Sequence, residues 1–202
     1  MNSYSDPIKG NIQLGPLLDE DAQLLQAVIK MTNPKVVVEF GYFWGKSANA
    51  MLAAMDADAE LHSFDNTKDA GHAMAHTQDA RFNFYPMSQD EFWKTQIDKI
   101  DFVFLDASHD MELNKNTFLQ IKDKLNPKAI IAVHDTGTWI GGNVFDAEAG
   151  YLDANGNWVH CPGEIDFVNW LKANHKDFEQ IHFHSSRQIR HGITLLQRYE
   201  AL

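Results

Sequence analysis

The chain has almost no cysteine. Cys161 is the only one in 202 residues, so no internal disulfide forms and the fold must rest on its core. No apolar run approaches the ~20 residues that span a bilayer, and Met1 to Gly10 lacks the apolar stretch of a signal peptide. These absences point to the reducing cytoplasm. Positive charge is scarce: 17 Lys and Arg against 28 Asp and Glu give a net charge of −11. A broad nucleic-acid face needs the opposite sign. Nucleic acid and membrane are therefore not expected partners, and a small neutral or cationic molecule, or a metal ion, suits the balance better. Internal repeats and low-complexity tracts are missing too. The one Gly-rich turn is not G-x-G-x-x-G. It is not a P-loop either, because Gly41 and Gly45-Lys46-Ser47 enclose three residues where that motif has four.

What is present reads as one α/β domain. Hydrophobic residues make up 44%, enough for a sizeable core. Asp19 stands as an N-cap before a helix carrying Leu24, Leu25, Val28 and Ile29, which Pro34 stops. Short, mostly apolar runs follow at Val36–Phe40, Leu61–Phe64, Phe82–Tyr85, Phe102–Leu105 and Ile130–Val133. Helical spacing separates several of them: Ala48, Met51, Leu52 and Met55 in one segment, Phe118, Ile121 and Leu125 in another, which Asn126-Pro127 is expected to end. Strands of this kind alternating with helices predict a doubly wound, Rossmann-like, mostly parallel sheet with helices on both faces. Ile165–Leu171 reads as a further helix. Ile181–His184 and Ile193–Gln197 read as two last strands, giving seven in all.

Acidic residues cluster at the strand ends, where open α/β sheets bind ligands. Glu39, Asp65, Asp106 and Asp135 are expected along one rim. Between the first strand and the next helix, Gly41 and Gly45 permit a tight turn and close approach of a ligand to the backbone, and the helix start offers free N–H groups.

The pattern Glu39-x-Gly41-x-x-x-Gly45-x-Ser47 resembles the first motif of class I S-adenosylmethionine-dependent methyltransferases. Asp106-Ala107-Ser108-His109 after the fourth strand and His134-Asp135-Thr136 after the fifth are similar to a subgroup of O-methyltransferases of the macrocin type, with the catechol type more distant. The resemblance covers roughly residues 15–136. Where the family often has Pro-Gly-Gly before the fifth strand, this chain has Pro127-Lys128-Ala129.

The resemblance implies methyl transfer from S-adenosylmethionine to a hydroxyl of a small molecule. It implies that Glu39, Gly41, Gly45 and Ser47 surround the methionine part of the cofactor and that Asp65 accepts from the ribose hydroxyls. Ser88, beside Met87, would lie near the adenine, and Asp106 at the reacting end. Asp106 and Asp135 end neighbouring strands, and two converging carboxylates repel unless a cation lies between them. A Mg²⁺ ion there is the expected solution, the alternative being that Asp106 binds cofactor or caps a helix. Thr136 stands where catechol-type enzymes have Asn. His109 is the expected general base on the acceptor hydroxyl, with Asp106 beside it as the other catalytic residue. His134 is expected to point to the side opposite Asp135.

Residues 137–163, rich in Gly and aromatics, interrupt the alternation and read as a lid or substrate-binding insertion, with a hairpin around Asn155-Gly156. The alternative is a packing element or a contact in a homo-oligomer. His72 and His76 have the i, i+4 spacing of metal ligands but lack the following Glu of a zincin. Asp153, Asn155 and Asn157 recur as in a calcium loop, with Gly156 out of place. His182 and His184 share a strand face, and Arg187, Arg190 and His191 form a small basic cluster. Two other functions fit the same scaffold: a hydroxylase-like enzyme or oxidoreductase, and a non-catalytic cofactor-binding module. Fold alone does not separate them.

Overall fold

The computed structural model describes residues 17–108, 110–136, 150–152, 158–160, 163–184 and 192–198. The chain runs α1 (Asp19–Thr32), β1 (Val36–Phe40), α2 (Lys46–Ala54), β2 (Glu60–Phe64), α3 (Ala70–His76), β3 (Phe82–Tyr85), β4 (Ile100–Leu105), α4 (Met111–Ile121), β5 (Leu125–His134), β6 (Gly150–Leu152), β7 (Trp158–His160), α5 (Gly163–Asn174), β8 (Phe178–His184) and β9 (Gly192–Arg198). A 3₁₀ turn over Gln89–Lys94 precedes β4.

Seven strands form one sheet in the order β3-β2-β1-β4-β5-β9-β8. The first five pair in parallel, and β9 is antiparallel to both β5 and β8. The expected doubly wound sheet is therefore present. The order reverses between β1 and β4, the place where such folds open a crevice.

Alternation along each buried strand divides the core into two layers. Val37, Leu61, Phe102, Phe104, Ile130 and Ala132 pack under Leu25, Val28 and Ile29 of α1 and Ala48, Met51 and Leu52 of α2. Val38, Phe40, Phe64, Val103, Leu105, Ile131 and Val133 pack under Phe118 and Ile121 of α4 and Phe167, Val168 and Leu171 of α5. Burying both faces is what makes the strands mostly apolar, with Glu39, His62 and Ser63 as buried polar exceptions.

Two local expectations change. Asp19 is not the N-cap of α1: Leu18 holds that position with no side-chain cap, and Asp19 is the first helical residue. Its carboxylate pairs with Lys46 Nζ at 3.0 Å instead. Asn126-Pro127 does not end α4, which stops at Ile121. Both residues lie inside β5, where the register slips from Ile100↔Leu125 to Phe102↔Ile130. The bulge tolerates a proline without N–H, Lys128 takes the left-handed region at φ 66°, and Asn126 Nδ2 donates to Asp101 Oδ1 at 2.6 Å.

β6 and β7 pair antiparallel with Tyr151 opposite Val159, as the hairpin reading requires. The turn residues Asp153, Asn155, Gly156 and Asn157 lie outside the described residues, as do Arg187, Arg190 and His191. Among the described residues no helix is long and apolar enough to cross a membrane.

Candidate functional site

Register assembles the rim. Phe40 pairs with Phe64 and with Leu105, and Leu105 pairs with Val133. The residues that follow, Gly41, Asp65, Asp106 and His134, therefore stand at one level along the carboxyl ends of β1, β2, β4 and β5. The ladder continues into them: Gly41 N donates to Phe64 O at 2.9 Å, Asp65 N to Tyr85 O at 3.2 Å and Asp106 N to Phe40 O at 2.9 Å. Asp65 and Asp106 are where the sequence puts them.

Glu39 is not at that level. It sits one pair back, opposite Ser63 and Phe104, and is fully buried. Ser47 Oγ and Ser63 Oγ donate to its two carboxylate oxygens. Glu39 thus ties the start of α2 and the strand β2 to β1. Burial pushes its carboxyl up to about 7, against the hydroxyl hydrogen bonds that lower it and with the nearby Asp106 and Asp65 carboxylates adding to the rise. Ser47, also buried, points its hydroxyl at Glu39 rather than into the crevice.

The Gly-rich turn is shaped by its neighbours. Gly41, at φ 99°, lies so close to β4 that a Cβ would stand 2.3 Å from the Asp106 carbonyl oxygen. Gly45, at φ 78°, would bring a Cβ to 2.5 Å from Tyr42 Oη. That hydroxyl is itself fixed by Thr77 Oγ1 at 2.9 Å and Ala73 O at 3.1 Å. The positive φ values and the close packing both select glycine here. Between them Phe43 N donates to Asp65 Oδ2 at 2.7 Å, and Thr67 donates to Asp65 Oδ1 through both N and Oγ1 at 2.7 Å. Asp65 therefore orders the turn and its own loop while remaining partly exposed.

Ser88 caps the 3₁₀ turn after β3, its N–H donating to Glu91 Oε2 at 3.3 Å. It is partly exposed, as is Met87.

At the other end of the rim, His134 joins Asp106 and Asp135. Its Nδ1 lies 3.0 Å from Asp106 Oδ1 and 3.4 Å from Asp135 Oδ1. The expectation that His134 points away from Asp135 is overturned. Adjacent strand residues would face opposite sides, but Asp135 has left β5 and takes φ 58°, which brings both side chains to the same place. An Asp tolerates that conformation better than most residues. The far ring nitrogen, Nε2, lies 3.2 Å from Asp21 Oδ2 of α1. Burial alone would lower the His134 pKa, but the charges of Asp106 and Asp135 and the hydrogen bonds to Asp106 and Asp21 outweigh it, holding it well above the ordinary histidine value. His134 is therefore a buried imidazole held among three carboxyl groups.

The ligand atoms of Asp106, His134 and Asp135 lie within 4.8 Å of one another, the one group of three or more such side chains among the described residues. Thr136 is turned inward, its hydroxyl accepting from Thr194 Oγ1 at 2.7 Å. His109 lies outside the described residues. Asp110, next to it, caps α4 by accepting from Leu113 N at 2.8 Å. The rings of His72 and His76 lie tilted with centroids 4.6 Å apart on α3, beside Trp44. His182 is held by Thr194 Oγ1 at 2.8 Å.

Asp21 is the site residue that sequence reading missed. The signal was available: Asp21 lies four residues before Leu25, on the stripe that Leu25, Val28 and Ile29 bury. A charge on an apolar stripe demands a partner.

Residues 38–136 match a family model described as a methyltransferase domain. No curated protein matches the chain in sequence. Among solved structures it is similar to a Klebsiella pneumoniae protein assigned as an O-methyltransferase, with TM-score 0.69 and 18% identity over 91% of this chain and 82% of that one. It is also similar to an O-methyltransferase from Bacillus cereus in complex with SAH, with TM-score 0.68 and 14% identity over 90% and 82%. A third is TomG, an O-methyltransferase from Streptomyces achromogenes involved in tomaymycin synthesis and bound to SAM, with TM-score 0.68 and 17% identity over 93% and 82%. At these identities the likeness carries the fold.

Proposed function

We propose that this chain, whose residues 38–136 match a methyltransferase-domain model, is a class I methyltransferase that moves a methyl group from S-adenosylmethionine to a hydroxyl oxygen of a small molecule such as a sugar or a phenol. The observation that carries the reading is the level rim of Gly41, Asp65 and Asp106 at the point where the sheet order reverses. Solved structures of similar fold described as O-methyltransferases, with SAH or SAM bound, support the cofactor and the oxygen acceptor.

The cofactor supplies a sulfonium methyl, which is activated already. What remains for the protein is to position the two reactants and make the oxygen nucleophilic. The backbone of Gly41–Gly45 and the first N–H groups of α2 receive the methionine end. Glu39 and Ser47 act one layer beneath, holding that turn in place. Asp65 accepts from the ribose hydroxyls, one at its remaining acceptor site and the other in exchange for one of the bonds it now receives from Phe43 N and Thr67. Ser88 and Met87 border the adenine. Asp106 faces the reacting end, and His109, three residues on, takes the proton of the acceptor hydroxyl. The segment 137–163, most of it outside the described residues, is read as a lid or substrate-binding insertion.

Asp106 and Asp135 fit a divalent cation. Three carboxyl groups, Asp21, Asp106 and Asp135, gather around one imidazole, and Asp106 and Asp135 present the hard oxygens that Mg²⁺ prefers. Asp106 and Asp135 would hold such an ion, which would supply the Lewis acidity that lowers the pKa of the acceptor hydroxyl.

Calorimetric titration of the purified protein with S-adenosylmethionine, SAH, NAD and 2-oxoglutarate tests the reading. Binding of the first two alone is expected. Binding of NAD or 2-oxoglutarate without them overturns it.

A further inference from the structure

Asp21 has no task in the scheme above, yet it occupies a core position on α1. A leucine there would serve the packing of α1 on the sheet as well or better, since a buried charge pair seldom outdoes apolar residues of similar size in stability. What a carboxylate does that leucine cannot is accept a hydrogen bond from His134 Nε2, 3.2 Å away.

The consequence runs through the ring. The terminal torsion of a histidine side chain has a broad, two-fold profile, so one hydrogen bond at Nδ1 leaves the ring free to flip and lose that bond. A second anchor at Nε2 removes the flip. Nδ1 then stays on Asp106 Oδ1 at 3.0 Å. Of the three side chains, Asp21 and His134 are 9% and 4% exposed, whereas Asp106 is 25% exposed and reaches the crevice. The arrangement has a buried end and a working end.

We infer that Asp21 is a positioning residue: it fixes the His134 ring, and through it orients the Asp106 carboxylate at the reacting end of the site. The inference rests on the reading of Asp106 as a cofactor-side group.

The test compares Asp21→Ala with Asp21→Asn. Alanine removes the acceptor; asparagine keeps one in its amide oxygen. SAH affinity by calorimetry, thermal melting, and histidine-selective nitrogen NMR of the ring N–H groups are read on each. Asp21→Ala is expected to weaken SAH binding by roughly tenfold, the size of coupling seen between residues in one network, and to broaden or lose the His134 Nδ1–H signal. Asp21→Asn is expected to restore both. In an Asp106→Asn background Asp21→Ala should add no further loss of affinity, because its effect passes through Asp106. Wild-type SAH affinity in a folded Asp21→Ala variant overturns the inference, and so do losses that multiply in the double variant. Failure of the wild-type protein to bind SAH would instead remove the methyltransferase reading. The NMR comparison then decides the positioning role by itself: an unchanged Nδ1–H signal in Asp21→Ala overturns it, and a lost one supports it.

Discussion

His134 Nδ1 lies 3.0 Å from Asp106 Oδ1 because the two residues follow a register pair, Leu105 and Val133, on adjacent parallel strands. Sheet geometry puts them on the same level and the same face, above Phe104 and Ala132 of the α1 side. Asp135 joins them only through its left-handed backbone. The histidine is thus an integral part of the acidic end of the site.

Removing the Asp65 carboxylate should weaken cofactor binding. It leaves the ribose hydroxyls unpaired and frees Phe43 N and Thr67 from their shared acceptor. Asp65→Ala is expected to cost roughly 1–3 kcal/mol of SAH affinity. Calorimetry on the variant checks it, and an unchanged dissociation constant would sink the assignment.

A divalent ion at Asp106 and Asp135 should show itself directly. Protein stripped with EDTA is expected to lose methyl transfer and regain it with Mg²⁺. Mn²⁺ binding followed by electron paramagnetic resonance should disappear in Asp135→Ala. Full activity in EDTA, or Mn²⁺ binding that ignores the substitution, rules the ion out.

The base role of His109 makes a kinetic prediction. An alkyl hydroxyl is a poor nucleophile while protonated, and a positioned base contributes roughly 10²–10⁴-fold. His109→Gln should lower kcat by an amount in that range and remove the acidic limb of the pH profile, with SAH affinity kept. Near-normal kcat across pH 6–9 excludes it.

Glu39 should leave a mark on stability. Its folded pKa of about 7 lies above the ordinary 4.5. Below pH 4.5 folded and unfolded chains both hold the proton. Between 4.5 and 7 only the folded chain holds it, so stability falls as pH rises through that window. At 1.36 kcal/mol per pH unit the loss is on the order of 3 kcal/mol. Urea denaturation at pH 4.5 and pH 8 should show a smaller drop for Glu39→Gln than for wild type, and equal drops would remove Glu39 as the cause.

Much of this was legible beforehand because it depends on local chemistry. The parallel strands are mostly apolar and closed by Gly41, Asp65, Pro86 and Asp106, so β1, β2, β3 and β4 fall within a residue or two of expectation. The segment Ala70–His76 was harder. It is small and polar, offers little apolar periodicity, and forms α3 chiefly because Asp69 accepts from His72 N. Asn126-Pro127 reads as a helix stop from either end of the chain. Its role in a bulge depends on the pairing of Leu125 with Ile100, which no local window contains. Glu39 was recognised as part of a motif, but its burial under Ser47 and Ser63 is set by β2. The direction of His134 depended on one backbone angle at Asp135, and the place of Asp21 on a partner far along the chain.

That distance has a meaning for folding. The hydrogen bond between Asp21 and His134 joins positions 113 apart, and the loop it closes contains β1 to β4 and nearly all of β5. Contacts of such separation form late, because the entropy of closing the loop must be met before the contact repays it. The pairing of β4 with β5 sets the end of β5 beside Asp106, and α1 must dock on that face of the sheet for the bond to form. A chain whose first helix is detached, or whose fifth strand is out of register, keeps most of its sheet and loses this bond. The acidic end of the site is therefore completed only when the long-range topology is, and its assembly reports that the whole domain has closed.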